Sequence, residues 1–270
     1  MAEPMHVPLD LSSHTRAWPR PPALASSVAI VVCFWWMATG LTIAMQRSDA
    51  SRLLSLAATT VFAAGGALLI AGSRHERTPR SARTAFIGAS LLWWWSATMF
   101  YGGWGVSPDA FPAGPHGSFA LAMQAIDATL AIDLVTVAAI VLVAIAVWRA
   151  QNRVALWTLL AFWGTLQTAK LSVFFGVRSP GAEFLPAELS GLRIFFGPER
   201  NSPFLAVMIV GIAVAALWLW MRARRTRDAF VRHGFAMLAT LLALAALEHL
   251  FLGLSASLPL WNLFLRVRGQ

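Results

Sequence analysis

Apolar residues in this chain occur in runs of ~20, and short polar segments rich in arginine and proline separate the runs. Each run is long enough to cross the ~30 Å hydrocarbon core of a membrane as an α-helix. The pattern predicts an all-α, polytopic integral membrane protein with about seven transmembrane helices. The predicted spans are residues 23–45, 53–72, 84–104, 119–148, 154–177, 204–221 and 234–256.

The segments outside the spans predict how the chain is organised. Residues 1–22 are polar and proline-rich, and they lack the charged-then-apolar order of a cleaved signal peptide, so we expect a cytoplasmic tail. Residues 23–256 are expected to form one transmembrane domain, and 257–270 a C-terminal tail. The longest connection, 179–202, is predicted to be an amphipathic periplasmic loop of that domain.

Composition and charge agree with a membrane location. Hydrophobic residues make up 58% of the chain and charged residues 12%, about half the usual share in soluble proteins. The net charge of +9 lies in loops at membrane edges and accompanies no nucleic-acid-binding motif, so the expected partners of these arginines are membrane lipids and not nucleic acid.

The distribution of the basic residues predicts the orientation. The N-terminus and the connections after spans two, four and six carry 13 Lys and Arg residues, whereas the opposite side carries 7. The positive-inside rule then places the N-terminus in the cytoplasm and the C-terminus in the periplasm. We therefore expect the inner membrane of a bacterium, either cytoplasmic or intracytoplasmic.

Four charged residues lie deep inside predicted spans, where a charge is expected to face a partner, a cavity or a ligand. They are Lys170, Asp127, Asp133 and Glu248. Counting from the predicted periplasmic ends of the spans puts Lys170, Asp127 and Glu248 at about 12 Å depth. Asp133 is expected to lie about 9 Å deeper and turned away from Asp127. The predicted polar layer is Gln124, Asp127, Gln167, Lys170, Glu248 and His249.

Three interpretations of this layer stay open. Lys170 could pair with Asp127 or Glu248 and fix helix packing. The layer could bind a polar or metal-centred ligand, and His249, the one histidine inside a predicted span, could be an axial ligand of a haem or chlorophyll metal. A proton relay is the third. The sequence contains no known catalytic motif, so no catalytic residue and no bound metal ion are assigned, and an enzyme is the less favoured class.

Two further features suggest binding surfaces. The triplet 93–95 places three tryptophans in mid-span, where the rings could pack between helices or line a surface for a flat macrocycle or carotenoid. The loop 179–202 combines charges with an apolar pattern, and Pro186 is expected to begin a short amphipathic helix. The residues assigned to partner docking in this loop are Glu183, Phe184, Leu185, Pro186 and Asn201.

The most specific motifs lie between residues 163 and 204. They are Trp163-Gly164-Thr165, Lys170-Leu171, Phe174-Phe175-Gly176-Val177, Glu183-Phe184-Leu185-Pro186 and Asn201-Ser202-Pro203-Phe204. With Leu247-Glu248-His249-Leu250-Phe251 and Trp35-Trp36-Met37, they resemble the photosynthetic complex assembly protein 2 family (PuhE). One difference is that Ser96-Ala97 follows the tryptophans where that family often carries a His-Glu pair, which argues against a ligand from span three.

The resemblance implies a photosynthetic bacterium and a membrane factor for assembly of the reaction centre–light-harvesting complex. The implied partners are reaction-centre or light-harvesting subunits, and the implied cofactor, if one binds, is bacteriochlorophyll or a precursor. Two alternatives stay open: a membrane-embedded enzyme or accessory subunit of bacteriochlorophyll synthesis, and a permanent structural subunit of the photosystem.

Overall fold

A computed structural model describes residues 21–107 and 118–254. Within these residues the chain forms seven α-helices, joined by turns and three short 3-10 helices. The α-helices are α1 (Pro21–Ala44), α2 (Asp49–Ser73), α3 (Pro79–Tyr101), α4 (Phe119–Val147), α5 (Val154–Phe175), α6 (Pro203–Arg225) and α7 (Ala229–Gly253). The predicted C-terminal tail and most of the N-terminal tail lie outside the described residues.

Several helices begin four or five residues earlier than their apolar runs, because polar residues cap their first turns. At α3, the side chain of Thr78 accepts a hydrogen bond from the Ser81 backbone N–H, and the Ser81 hydroxyl accepts one from the Thr78 N–H. Ser48 and Ser51 form the same reciprocal cap at α2. Such caps satisfy backbone donors that the helix itself leaves unpaired.

Five helices are long and apolar enough to cross a membrane, which makes this an α-helical, multi-pass membrane protein. These helices are Leu24–Ala44, Asp49–Ser73, Phe119–Val147, Pro203–Arg225 and Ala229–Gly253. The two others, α3 and α5, are equally long but carry more polar and small residues. The predicted count of seven spans is therefore matched by seven helices, and a crossing by α3 and α5 stays a prediction.

The helices α3, α5 and α7 pack against one another and form the middle of the bundle. Their contact surfaces share one apolar core with parts of α1, α2 and α4, in which Phe86, Ala155 and Met237 are almost fully buried. By contrast, α6 packs mainly on α7 and exposes most of its apolar side chains. Inner helices can carry polar residues because their side chains face protein instead of lipid, which explains the lower hydropathy of α3 and α5.

Polar contacts join the connections at the end of the bundle that is predicted to be cytoplasmic. Asn152 is buried, and its side-chain amide donates to the carbonyls of Ser73 and Ser81 at 3.2 and 3.0 Å. Arg77 forms an ion pair of 2.7 Å with Asp228, the residue that caps α7. The hydrogen bond from Arg77 holds the pKa of the Asp228 carboxyl below its ordinary value. These contacts place the α2–α3, α4–α5 and α6–α7 connections side by side.

The helices α2 and α3 approach each other closely at a pair of glycines. A Cβ atom added at Gly66 would lie 2.6 Å from the Gly88 carbonyl oxygen, and one added at Gly88 would lie 2.6 Å from the Gly66 oxygen. A Cβ atom added at Gly65, which precedes Gly66, would have no neighbouring atom within 4 Å. Adjacent glycines such as Gly65 and Gly66 predict close helix packing, and the structure assigns that role to Gly66 with Gly88.

We expect Gly88→Ala and Gly66→Ala to lower the thermal stability of the detergent-solubilised protein, because a new methyl group would force the two backbones apart. Overpacking of this kind typically costs about 1–3 kcal/mol. Gly65→Ala is the matched control, since it adds the same group to the same helix in open space. Melting curves of the three variants test this, and equal stability of Gly88→Ala and Gly65→Ala would contradict the close crossing.

Candidate functional site

The lysine of α5 forms a part-buried ion pair between α4 and α5. Lys170 Nζ lies 2.9 Å from both carboxylate oxygens of Asp133. The same carboxylate accepts hydrogen bonds from Gln167 Nε2 and Thr129 Oγ1, each at 3.0 Å. Lys170 Nζ also lies 5.6 Å from the centroid of the Phe100 ring on α3. Both charges are thus neutralised and hydrogen-bonded, as a buried pair requires.

This geometry corrects the pairing expected from the sequence, because the partner of Lys170 is Asp133 and not Asp127 or Glu248. Asp127 is exposed, and Asp133 follows it by six positions along the helix, which turns the two side chains about 120° apart. The depth argument failed because α4 has 29 residues and is about 43 Å long, more than a membrane core needs. Its first turns extend past the end of α5, so Asp133 lies level with Lys170.

Glu248 on α7 belongs to a second polar contact. Its Oε1 atom accepts a hydrogen bond of 2.9 Å from the indole N–H of Trp35 on α1. The residue is exposed, and it lines the same internal cavity as Lys170 and Asp133. Of the predicted polar layer, Gln167, Lys170 and Glu248 therefore belong to one site, and Asp127 does not contribute to it.

His249 follows Glu248 in sequence but occupies a different environment. It is 1% exposed, and its Nδ1 atom lies 2.8 Å from the Ala245 carbonyl oxygen. Because a carbonyl only accepts, Nδ1 carries the proton, and Nε2 accepts from the Thr168 hydroxyl at 3.0 Å. Both ring nitrogens are engaged and His249 is not among the residues around the cavity. This geometry supports a hydrogen-bonded packing role for His249 rather than axial ligation of a metal.

The cavity that brings these groups together has a volume of about 380 Å³, within the range of small-molecule sites. Its walls come from α1, α3, α4, α5 and α7, and Pro180, Gly181 and Leu185 contribute from the loop 179–202. The walls are mostly aromatic and apolar, and the lining charges are Asp133, Lys170 and Glu248. Such an arrangement suits an amphipathic ligand with a small number of polar groups.

The tryptophan triplet of α3 faces other helices through all three of its rings. Trp93 stacks on Phe162 with ring centroids 5.1 Å apart. The indole N–H groups of Trp94 and Trp95 donate to the hydroxyls of Thr42 and Thr60, each at 3.0 Å. The rings therefore pack between helices, and Trp93 and Trp94 also line the cavity, while a surface for a flat macrocycle or carotenoid stays a prediction.

The loop 179–202 packs its apolar side chains on its own bundle. Pro186 precedes a 3-10 helix, Ala187–Phe195, where a short helix was predicted. The apolar positions of this helix and of Leu185 contact the first turns of α4, including Leu121 and Ala128. Glu183 is exposed, and the side chain of Phe184 lies outside what the structure describes. The apolar stripe therefore covers α4, and the outer face of the loop is polar.

Asn201 fastens this loop to two helix ends. Its side-chain oxygen accepts from the Arg178 N–H, and its amide nitrogen donates to the Gly253 carbonyl, both at 2.9 Å. The backbone folds tightly at Gly176, where φ is +113° and an added Cβ would lie 2.7 Å from the Pro198 oxygen. These contacts give Asn201, which was assigned to docking, a structural role in closing the loop over the cavity.

The model of the family described as "Protein of unknown function (DUF3623)" matches residues 22–270. The chain belongs to this family. It is also 29% identical over 233 residues to a protein of Rhodobacter capsulatus described as an uncharacterized 30.4 kDa protein in the puhA 5′ region. That alignment covers 83% of this chain and 85% of the relative. No solved structure matches the chain.

Two residues of the site in this DUF3623 protein were missed by sequence reasoning. Asp133 is a deep charge that the predicted polar layer does not include. Thr129 precedes it by four residues on the same helix face, and this spacing is a signal of a polar stripe. Trp35 was noted only as part of a family motif. Its contact with Glu248 joins positions 213 residues apart, and no local spacing encodes such a contact.

We expect Lys170→Met and Asp133→Asn to lower membrane abundance and thermal stability, since each leaves an unpaired group at depth. Losing one partner of a buried pair costs about 3–5 kcal/mol, whereas losing both can be nearly neutral. The double variant should therefore regain much of the stability. Asp127→Asn, which removes an exposed carboxylate from the same helix, is the control and should have little effect. A double variant as unstable as Lys170→Met would contradict the pair.

Proposed function

We propose that this protein is a membrane factor for assembly of the bacterial photosynthetic reaction centre and light-harvesting complex, and that it handles bacteriochlorophyll or a precursor during assembly. The observation that carries the proposal is the aromatic cavity inside the helix bundle, which holds a neutralised Lys170–Asp133 pair and the accessible carboxylate of Glu248. A flat apolar ring with few polar groups matches such walls.

The comparison with the Rhodobacter capsulatus protein supports the same function. The Rhodobacter capsulatus protein is described by its place in the puhA 5′ region, which agrees with the resemblance of this chain to the photosynthetic complex assembly family. The motifs of that resemblance coincide with structural positions in the site: Lys170 forms the ion pair, Asn201 closes the loop, and Glu248 bonds to Trp35. The positions of these motif residues support an assembly role that uses the cavity. They give less support to docking through the apolar stripe of the loop.

The proposal includes seven crossings, with the N-terminus in the cytoplasm and the C-terminus in the periplasm. The Asn152 and Arg77–Asp228 contacts join three helix connections at one end of the bundle. At the other end, Arg52 at the start of α2 pairs with Glu188 of the loop. Contacts at both ends support a bundle in which α3 and α5 cross the membrane together with the five apolar helices.

A reporter that is active only in the periplasm should work when fused after Gln270 and fail when inserted near Arg80. The physical reason is the excess of basic residues on the side of Arg80, which resists translocation. An insertion near Ser190, in the loop 179–202, should also be active and serves as an internal control for the odd number of crossings. Activity near Arg80 with none after Gln270 would contradict the orientation.

A clean deletion strain tests the function. We expect assembled reaction-centre and light-harvesting complexes to fall severalfold while total bacteriochlorophyll synthesis continues, because the missing step is delivery or assembly. Absorption spectra of purified membranes and pigment extracts measure both quantities, and complementation with the wild-type chain is the control. Accumulation of one defined biosynthetic intermediate would indicate an enzyme of pigment synthesis. Co-purification at fixed stoichiometry with the mature complex would indicate a structural subunit.

A further inference from the structure

The cavity contains two acidic side chains that differ in what remains available to a ligand. Both oxygens of Asp133 are held by Lys170, and they also accept from Gln167 and Thr129. Glu248 receives one hydrogen bond, from Trp35 to Oε1, and among the described residues no other hydrogen bond to this carboxylate is found. Oε2 of Glu248 is therefore the one carboxylate oxygen of the cavity that a ligand could engage without breaking an ion pair.

The residues around Glu248 determine how many protein ligands a metal ion could have there. Among the described residues, no group of three His, Cys, Asp or Glu side chains is close enough to hold a metal ion. An ion bound by Glu248 alone would keep most of its four to six ligands as water, and the mostly apolar walls offer such waters few hydrogen-bond partners. A metal that binds here must therefore bring most of its ligands with it. A metal-bearing macrocycle does so, and it leaves an axial position for one protein atom.

The surroundings of Glu248 fit such a ring. Eight aromatic residues line the cavity, and together they offer broad apolar faces of the kind on which flat rings stack. They are Phe34, Trp35, Trp93, Trp94, Phe100, Tyr101, Phe162 and Phe251. Trp35 is one of them and also orients the carboxylate, because its indole N–H holds Oε1 at 2.9 Å. This leaves the second oxygen of a fixed carboxylate beside an aromatic wall.

We infer that Glu248 is the axial ligand for the metal of a flat macrocycle, of the magnesium tetrapyrrole class, bound in this cavity. The inference rests on the proposed pigment-handling function and names the residue and ligand class for it. Carboxylate oxygen suits a hard cation such as Mg²⁺, and the electron-poor metal centre of the macrocycle attracts the carboxylate. His249 is not available as a metal ligand, because its two ring nitrogens are hydrogen-bonded to Thr168 and Ala245 inside the bundle.

The test is a titration of the purified full-length protein in detergent with a magnesium porphyrin whose carboxyl groups are esterified. Binding should shift the absorption bands of the porphyrin and saturate at one site. The metal-free form of the same porphyrin should bind roughly ten-fold more weakly, since it lacks the charged contact. Glu248→Gln keeps the side-chain shape and the acceptor for Trp35, and it should abolish this preference for magnesium. The matched control, His249→Gln, should keep it.

Three results would overturn the inference: equal affinity of the wild-type protein for the magnesium and metal-free forms, unchanged magnesium preference in Glu248→Gln, or loss of that preference in His249→Gln alone. The first comparison uses only the wild-type chain and so does not depend on variant stability. A magnesium preference that requires Glu248, together with normal complex assembly in the deletion strain, would reject the proposed function and keep the site. An assembly defect without magnesium preference would reject the site at Glu248 and keep the proposed function.

Discussion

The ion pair between Lys170 and Asp133 is the interaction on which the arrangement of the site depends. It joins α4 to α5, and the hydrogen bonds from Gln167 and Thr129 leave neither charge exposed to the apolar interior. The cost of desolvating two charges is met here by short contacts of 2.9 Å to both carboxylate oxygens. The pair thus adds a polar contact between α4 and α5 to the apolar packing of α4 on the bundle.

The position of α4 in turn decides the form of the loop 179–202. The first turns of α4 extend past the end of α5 and present Leu121 and Ala128, which the 3-10 helix Ala187–Phe195 covers. The covering helix brings Leu185 to the cavity, and Asn201 ties the far end of the loop to α7. One buried charge pair, one long helix and one folded loop together enclose a space of about 380 Å³.

Inside the cavity, the two acidic residues differ in the partners that their carboxylates bind. Asp133 is used in stabilising the bundle, whereas Glu248 is held by a single indole N–H and is accessible. Aromatic residues surround both, so a polar ligand group would find few partners besides Glu248. Among the described residues, the apolar walls and the accessible carboxylate suit the ligand class that we propose, a flat apolar ring with a metal centre.

The sequence by itself determined the helical class, the seven helices and their approximate limits, because apolar runs of ~20 residues with polar caps are local signals. It also identified Lys170, Gln167 and Glu248, since a charge or amide inside an apolar span is conspicuous. Only the tertiary structure decided that Asp133 and not Asp127 meets Lys170, that Trp35 holds Glu248, and that His249 is enclosed. The reason is that partner choice depends on the relative height and rotation of helices. The apolar run predicts the length of the 29-residue α4, but nothing in the sequence of one helix specifies how far it extends past its neighbour.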